Sequence, residues 1–263
     1  MSEQSLSESI ESIKNEIMDD DNNNFTPILS AQINYTEVPS NKEDKYGDDE
    51  TFESWADNNI FFPIATKLVD PLHNLSLTPN NVTILSTIFT FLSIYFLHIN
   101  EKPYASMAYF SGYLLDCVDG KMARKYNMSS KYGMALDLVS DNISNISLIA
   151  YLINRYGLTN HYVLIIIFMS YMISISYGLN EAIASQKSTG DDNFLNRREN
   201  ELKSEKDYIF TLFLYITKAS YRSYRSFFKE YNEETIFKWL SVLKHFGPGN
   251  YCLLVSIILL YIE

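Results

Sequence analysis

Four aspartates in the middle of this chain stand at intervals that place them together on helices. Asp116 and Asp119 are three apart and share one helical face, and Gly133, Asp137 and Asp141, each four apart, share another. Two such helices facing each other would aim four carboxylates at one point. Carboxylates that close cannot all stay ionised unless cations lie between them. A purely oxygen ligand set selects a hard ion, Mg²⁺ or Mn²⁺. Two such ions suit phosphoryl transfer, where they neutralise the charge of a diphosphate.

The residues around the aspartates fit a diphosphate ligand. Gly120 lets a phosphate approach the backbone, Ala123 keeps that face low, and Gly133 opens the facing helix at the matching level. Arg124 offers a planar fork for phosphate oxygens. Lys121 and Lys125 read as interfacial cations rather than ligands, and the four histidines as scattered interface or loop residues.

The elements that must position this set are membrane helices. Val82–Ile99 and Tyr162–Asn180 are free of Asp, Glu, Lys and Arg. The first would be about 27 Å long as a helix, close to a hydrocarbon core of about 30 Å. Tyr251–Ile262 adds a shorter apolar run and Tyr208–Thr217 a shorter one again. Pro103–Val118 and Gly133–Ile153 are apolar apart from the aspartates, and ionisable groups at membrane depth face a wet cavity, an ion or a partner. Together these predict an all-α, polytopic membrane protein with a bundle of six transmembrane helices, near 82–99, 103–122, 133–153, 161–180, 207–220 and 249–262. Each span then satisfies its own backbone hydrogen bonds.

An even number of spans places both termini and loops 123–132 and 181–206 on one side. Those loops are rich in Lys and Arg, whereas the opposite turns carry Lys102 and Arg155, so the aspartates and both termini are expected in the cytosol. One stretch disagrees. Residues 218–244 hold Lys218, Arg222, Arg225, Lys229, Lys238 and Lys244, which six-span counting puts outside. Either that stretch is an interfacial hairpin or the fifth span is wrong.

The net charge of the 263 residues is -11, and it is unevenly placed. Residues 1–58 hold 15 Asp and Glu against Lys14, Lys42 and Lys45, which leaves the remainder nearly neutral. This acidic segment has too little apolar surface to offset its ordering entropy and reads as a disordered tail, with a short helix possible around Leu6–Met18. No cleavable signal peptide is expected. A basic nucleic-acid surface is excluded, and Cys117 and Cys252 cannot build a disulfide framework or a Cys-based zinc site. The organisation expected is thus a tail over 1–58, an interfacial amphipathic helix over 59–77 and a membrane domain over 78–263.

The motif Asp116-x2-Asp119-Gly120-x2-Ala123-Arg124-x8-Gly133-x3-Asp137-x3-Asp141 resembles the signature of the CDP-alcohol phosphatidyltransferase family, with every position filled. Thr78-Pro79-Asn80-Asn81-Val82-Thr83 resembles the stretch that opens that family's first membrane helix, and residues 59–77 resemble its interfacial helix. The resemblance implies a six-helix, dimeric enzyme of phospholipid biosynthesis that displaces CMP from a CDP-linked donor in favour of an alcohol acceptor. Carried over by position, Asp116, Asp119, Asp137 and Asp141 would bind two Mg²⁺ or Mn²⁺ ions, and Asp141 would also take the proton of the attacking hydroxyl. Gly120, Ala123, Arg124 and Gly133 would hold the CDP portion with Ser130 nearby, and Thr78, Pro79, Asn80 and Asn81 would close the pocket. The compact domain resembles the users of CDP-diacylglycerol; in a eukaryote it would sit in the endoplasmic reticulum or another internal membrane. A choline or ethanolamine phosphotransferase acting on diacylglycerol is the alternative within the family, and a Mg²⁺-binding transporter or scaffold the alternative outside it. A polyprenyl-transferring enzyme is disfavoured, because its DDxxD run is absent.

Overall fold

A computed structural model describes residues 53–205, 207–229 and 233–263. The acidic tail expected over 1–58, and the helix considered at Leu6–Met18, lie outside these residues up to position 52. Every regular element among the described residues is helical.

Chain chemistry sets the helix starts. A π-helical turn, Asp57–Phe61, runs directly into α1, Phe62–Asn74. Thr78 caps α2 (Pro79–His98) by accepting a hydrogen bond from the Asn81 amide, and Pro79 fills the first turn, where its missing N–H costs nothing. Asn100, at φ 60°, turns the chain into α3, Lys102–Lys125. Ser130 caps α4 (Lys131–Tyr156) through the Gly133 amide. Asn160 caps α5 (His161–Thr189), which Gly190 ends in a left-handed conformation. The short α6, Phe194–Glu201, precedes α7, Tyr208–Phe227. Helix α8, Glu233–Leu243, continues through a 3₁₀ turn at Lys244–Phe246 into α9, Pro248–Tyr261.

Helices α2 and α3 form a close antiparallel pair. A Cβ on Gly112 would stand 3.1 Å from the Ser86 carbonyl oxygen, so glycine is what lets the two backbones approach. Helix α9 packs along the other side of α3, where Ser106 Oγ donates to the Ser256 carbonyl at 2.7 Å. Tyr251 OH donates to Asn145 Oδ1 at 2.6 Å and receives from Ser170 at 3.0 Å, tying α9 to α4 and α5. Around these contacts Phe61, Leu97, Leu148, Leu152, Ile166, Val255 and Leu259 make the main apolar core.

Three runs are long and apolar enough to cross a membrane among the described residues: Pro79–His98, His161–Gln186 and Lys238–Tyr261. All six expected spans are helical, but one of them does not run the length of the bundle. The stretch 207–220 belongs to α7, which starts at the end of the bundle that holds the aspartates. Its first turns pack on the start of α4: Phe210 and Phe213 share a cluster with Ala135 and Val139, and Phe210 meets Tyr132 edge-on. Its last turns pack on the middle of α5, with Ser220 on Ser174, Tyr224 against Gly178 and Ser226 Oγ 3.3 Å from the Tyr171 hydroxyl, while Arg225 pairs with Asp192 at 3.0 Å. Helix α7 therefore begins at the aspartate end and finishes level with the middle of α5, short of the opposite end.

The physical reason is amphipathy. Phe210, Phe213, Thr217, Ser220 and Tyr224 bury one narrow stripe, whereas Tyr208, Tyr215, Lys218 and Arg222 on the opposite face are exposed. The crossing back is made by Lys238–Tyr261. Ile236, Leu240 and Leu243 pack on Ile175, Leu179 and Ile183 near the aspartate end, and the Glu263 carbonyl accepts from Asn160 at the other. The C-terminus therefore lies at the end opposite the aspartates, against the expectation that places both termini on their side.

The helical body also starts before residue 59. Ser54 and Asp57 are buried, at 0% and 1% exposure, although both fall in the stretch whose acidity marks it as tail. Ser54 Oγ donates to Asp57 Oδ2 at 2.7 Å, Tyr113 OH to Asp57 Oδ1 at 2.6 Å, and the Gly249 amide to Oδ2 at 3.2 Å. Asn250 adds a clasp, accepting from the Ala56 amide at 3.0 Å and donating its own amide to Ser54 Oγ at 3.2 Å. A few residues before α1 are thus bolted to the middle of α3 and the start of α9.

Candidate active site

The C-terminal half of α3 and the first turns of α4 face each other as their spacing predicts. One carboxylate oxygen from each of Asp116, Asp119 and Asp137 lies within 4.8 Å of the others. Asp119 is buried, and Thr83 Oγ1 from α2 donates to its Oδ2 at 2.6 Å. Asp116 Oδ1 is buried with no protein partner, and Asp137 and Asp141 both flank Asp116. Asp141, one turn farther along α4, is exposed and stands outside the group of three.

A cavity of about 330 Å³ opens on this cluster. Its wall includes Pro79, Asn80, Asp116, Asp119, Gly120, Ala123, Arg124, Ser130, Gly133 and Asp137. The glycines act as the sequence suggests. A Cβ on Gly120 would meet Arg124 Nη1 at 3.3 Å, so the guanidinium folds over the bare backbone. A Cβ on Gly133 would stand 3.1 Å from both Asn80 Oδ1 and Ser130 Oγ, which brings the opening of α2 against the opening of α4. Thr78, Asn81 and Asp141 are not among the wall residues. Thr78 caps the helix that carries Asn80 and Thr83 by accepting from the Asn81 amide.

Several wall and supporting residues escape the sequence pattern. Lys121, expected as an interfacial cation, is 4% exposed and lines the cavity with its Nζ 4.6 Å from the centre of the Phe62 ring. Tyr113, one turn before Asp116, also lines the cavity, and its hydroxyl is the one held by Asp57. Thr83 closes the Thr78–Thr83 stretch that resembles the opening of the family's first membrane helix, but no spacing marks it as the partner of a carboxylate. Asp57 is hidden among the other acids of its segment.

Lys125 behaves as expected, outside the cavity. Its Nζ pairs with Asp70 Oδ1 at 3.0 Å, and Tyr126 OH donates to the same carboxylate at 2.7 Å. The Tyr126 hydrogen bond, then that of Lys125, hold the Asp70 carboxyl below its ordinary value. Glu181 pairs with Arg197 at 2.7 Å and Arg198 at 2.9 Å, and Lys131 Nζ donates to the Glu201 carbonyl at 3.0 Å, so α6 is strapped to both α5 and α4.

Comparison with known proteins agrees with the geometry. Residues 76–219 match the family model described as CDP-alcohol phosphatidyltransferase. The chain is similar to the CDP-diacylglycerol--inositol 3-phosphatidyltransferase of Saccharomyces cerevisiae, 28% identical over 190 residues that cover 67% of this chain and 79% of that protein. It also resembles the archaetidylinositol phosphate synthase of Pyrococcus horikoshii, 33% identical over 78 residues that cover 30% of this chain and 42% of that protein. A third relative, the CDP-diacylglycerol--inositol 3-phosphatidyltransferase of Candida albicans, is 38% identical over 76 residues, 28% of this chain and 32% of its own.

Proposed function

Because the chain belongs to the CDP-alcohol phosphatidyltransferase family, and so is a membrane phosphotransferase of phospholipid biosynthesis, we propose that it transfers a phosphatidyl group from CDP-diacylglycerol to inositol with release of CMP. The observation that carries the reading is the convergence of Asp116, Asp119 and Asp137 on a cavity walled by Gly120 and Arg124. The names of the relatives from Saccharomyces cerevisiae and Candida albicans support this donor and acceptor.

The buried, unpartnered Oδ1 of Asp116 beside two further carboxylates suits a hard divalent cation. Asp116, Asp119, Asp137 and Asp141 would hold two Mg²⁺ or Mn²⁺ ions, which supply charge neutralisation on the donor diphosphate. The chain's own groups do the rest. Gly120 admits the diphosphate to the backbone, and Arg124 and Lys121 bring positive charge to its oxygens. Asp141, one turn beyond the group of three, accepts the proton of the acceptor hydroxyl. That hydroxyl oxygen attacks the β-phosphorus in line, the bond from this phosphorus to the bridging oxygen breaks, and CMP leaves. The lysines and arginines of the aspartate-end loops support a cytosolic orientation of this end. A homodimer follows from the resemblance to the family and is checked by cross-linking in native membranes.

The test is CMP release from CDP-diacylglycerol with inositol, serine or glycerol phosphate as acceptor, and from CDP-choline with diacylglycerol. Release that depends on inositol and a divalent cation, and is abolished in Asp141→Asn, is expected. Release from CDP-choline alone would move the chain to the other branch. Activity retained in Asp141→Asn would refute the role given to that residue.

A further inference from the structure

Asp57 is buried, at 1% exposure, and the reaction drawn above makes no use of it. Its carboxylate accepts from three donors. Ser54 Oγ at 2.7 Å and the Gly249 amide at 3.2 Å share Oδ2, and the Tyr113 hydroxyl reaches Oδ1 at 2.6 Å. A Cβ on Gly249 would stand 2.6 Å from Asp57 Cγ, so only a bare backbone at the start of α9 leaves room for this group. The Tyr113 ring is fixed as well, edge-on to the buried Phe61 at 4.7 Å between centres. One phenol carries one proton, and the carboxylate at 2.6 Å takes it.

The competing acceptor for that proton is Asp116. Tyr113 and Asp116 are three apart on α3, line the same cavity and interact, and Tyr113 also interacts with Cys117, the residue beside Asp116. Side chains lean toward the N-terminus of their helix, so Asp116 leans over the turn that carries Tyr113. Asp116 Oδ1 is nevertheless buried without a hydrogen-bond partner. A phenol donating to Asp116 would cover an oxygen that a cation needs. We propose that Asp57 is a positioning residue for the cation site: by holding the proton of Tyr113, it keeps Asp116 open to a hard divalent ion. The proposal rests on the reading of Asp116 as a cation ligand and goes beyond it, because Asp57 lies outside the aspartate motif, 56 positions before Tyr113.

The experiment is Mn²⁺ binding to the full chain in detergent, read from the electron paramagnetic resonance signal of the free ion. No substrate is present, so the result stands apart from the choice of donor and acceptor. Asp57→Asn keeps the volume of the side chain and removes one acceptor oxygen. The amide oxygen then faces the two donors at the Oδ2 position, Ser54 and Gly249, and the amide nitrogen faces Tyr113, which turns the phenol proton toward Asp116. Asp57→Asn should raise the Mn²⁺ dissociation constant at least about tenfold, the lower end of what groups that orient metal ligands contribute. Adding Tyr113→Phe removes the competing proton and should recover most of that loss. Asp57→Ala, with and without Tyr113→Phe, repeats the comparison if Asp57→Asn does not fold. A double variant as weak as the single one would make Asp57 a structural group only, and normal Mn²⁺ binding by folded Asp57→Asn would show that Tyr113 never competes; either overturns the proposal. An unaltered chain that binds no Mn²⁺ refutes the cation site itself, and the proposal with it.

Discussion

Replacing Thr83 by Val keeps the shape of a buried side chain and deletes one hydroxyl. That hydroxyl has a single proton, with Asp119 Oδ2 at 2.6 Å and the Pro79 carbonyl at 3.2 Å, so the carboxylate takes it. Thr83 and Asp119 are 3% and 4% exposed, so the bond is shielded from most of the solvent although both residues line the cavity. A hydrogen bond to a charged group contributes about 1.5–3 kcal/mol, which is roughly 10- to 150-fold in an equilibrium constant. Partners that orient metal ligands cost about 10- to 100-fold in metal affinity when removed, the same range by a separate route. The assay is CMP release titrated with Mn²⁺ and with Mg²⁺ at saturating substrates. Thr83→Val should raise the half-saturating metal concentration at least about tenfold, the lower end of that range. Thr83→Ser should stay near the unaltered enzyme, and thermal stability in detergent should change little. A Thr83→Val enzyme with normal metal dependence would show that Asp119 needs no such support, and the link between α2 and the cation site would fail.

Three further outcomes are expected. Asp57→Ala strands the Tyr113 hydroxyl and the Gly249 amide in a buried site, a cost of about 2–6 kcal/mol at 1–3 each. The midpoint of thermal unfolding in detergent should therefore fall by at least about 4 °C, and an unchanged midpoint would contradict the bonding described. Gly178→Ala puts a methyl 2.7 Å from Tyr224 Cβ and 3.0 Å from the Ser220 carbonyl, an overpacking cost of about 1–3 kcal/mol read in the same unfolding assay. Asp70 is exposed and its carboxyl titrates below its ordinary value, so its contribution is complete above the unfolded value of about 3.9 and is lost as pH falls through the lower folded one. The stability difference between the unaltered chain and Asp70→Asn should hold from neutral pH to about 4 and then close; a difference that widens on acidification would reverse the sign assigned here.

The parts legible in sequence are those with a period or a fixed spacing. Asp116, Asp119 and Asp137 converge because three- and four-residue intervals put side chains on one helical face whatever the rest of the fold does. Thr78 and Pro79 mark the start of α2 for an equally local reason. Residues that work across elements left no such trace. Thr83 reaches Asp119 over 36 positions, and Asp57 reaches Gly249 over 192. Segment-wide averages misled in two places. The acidity of residues 1–58 concealed the buried Ser54, Ala56 and Asp57, and the hydropathy of 207–220 hid an amphipathic stripe whose cations face outward. Lys121 reads as an ordinary border lysine until Phe62 is folded over it.

The bolt at Asp57 has a consequence for the order of assembly. The Tyr113 hydroxyl on the cavity wall is positioned by a carboxylate just ahead of α1, and that carboxylate is seated by Gly249 directly and by Asn250 through Ser54, where Gly249 comes 108 positions after Asp141. A ribosome therefore finishes the aspartate motif long before the segment that steadies the wall beside it leaves the tunnel. A nascent chain stalled before α9 can insert its first helices and still lack this support. Synthesis of α9 is in this sense a checkpoint on the site, and deletions that remove Ser54 or Gly249 converge on the same defect.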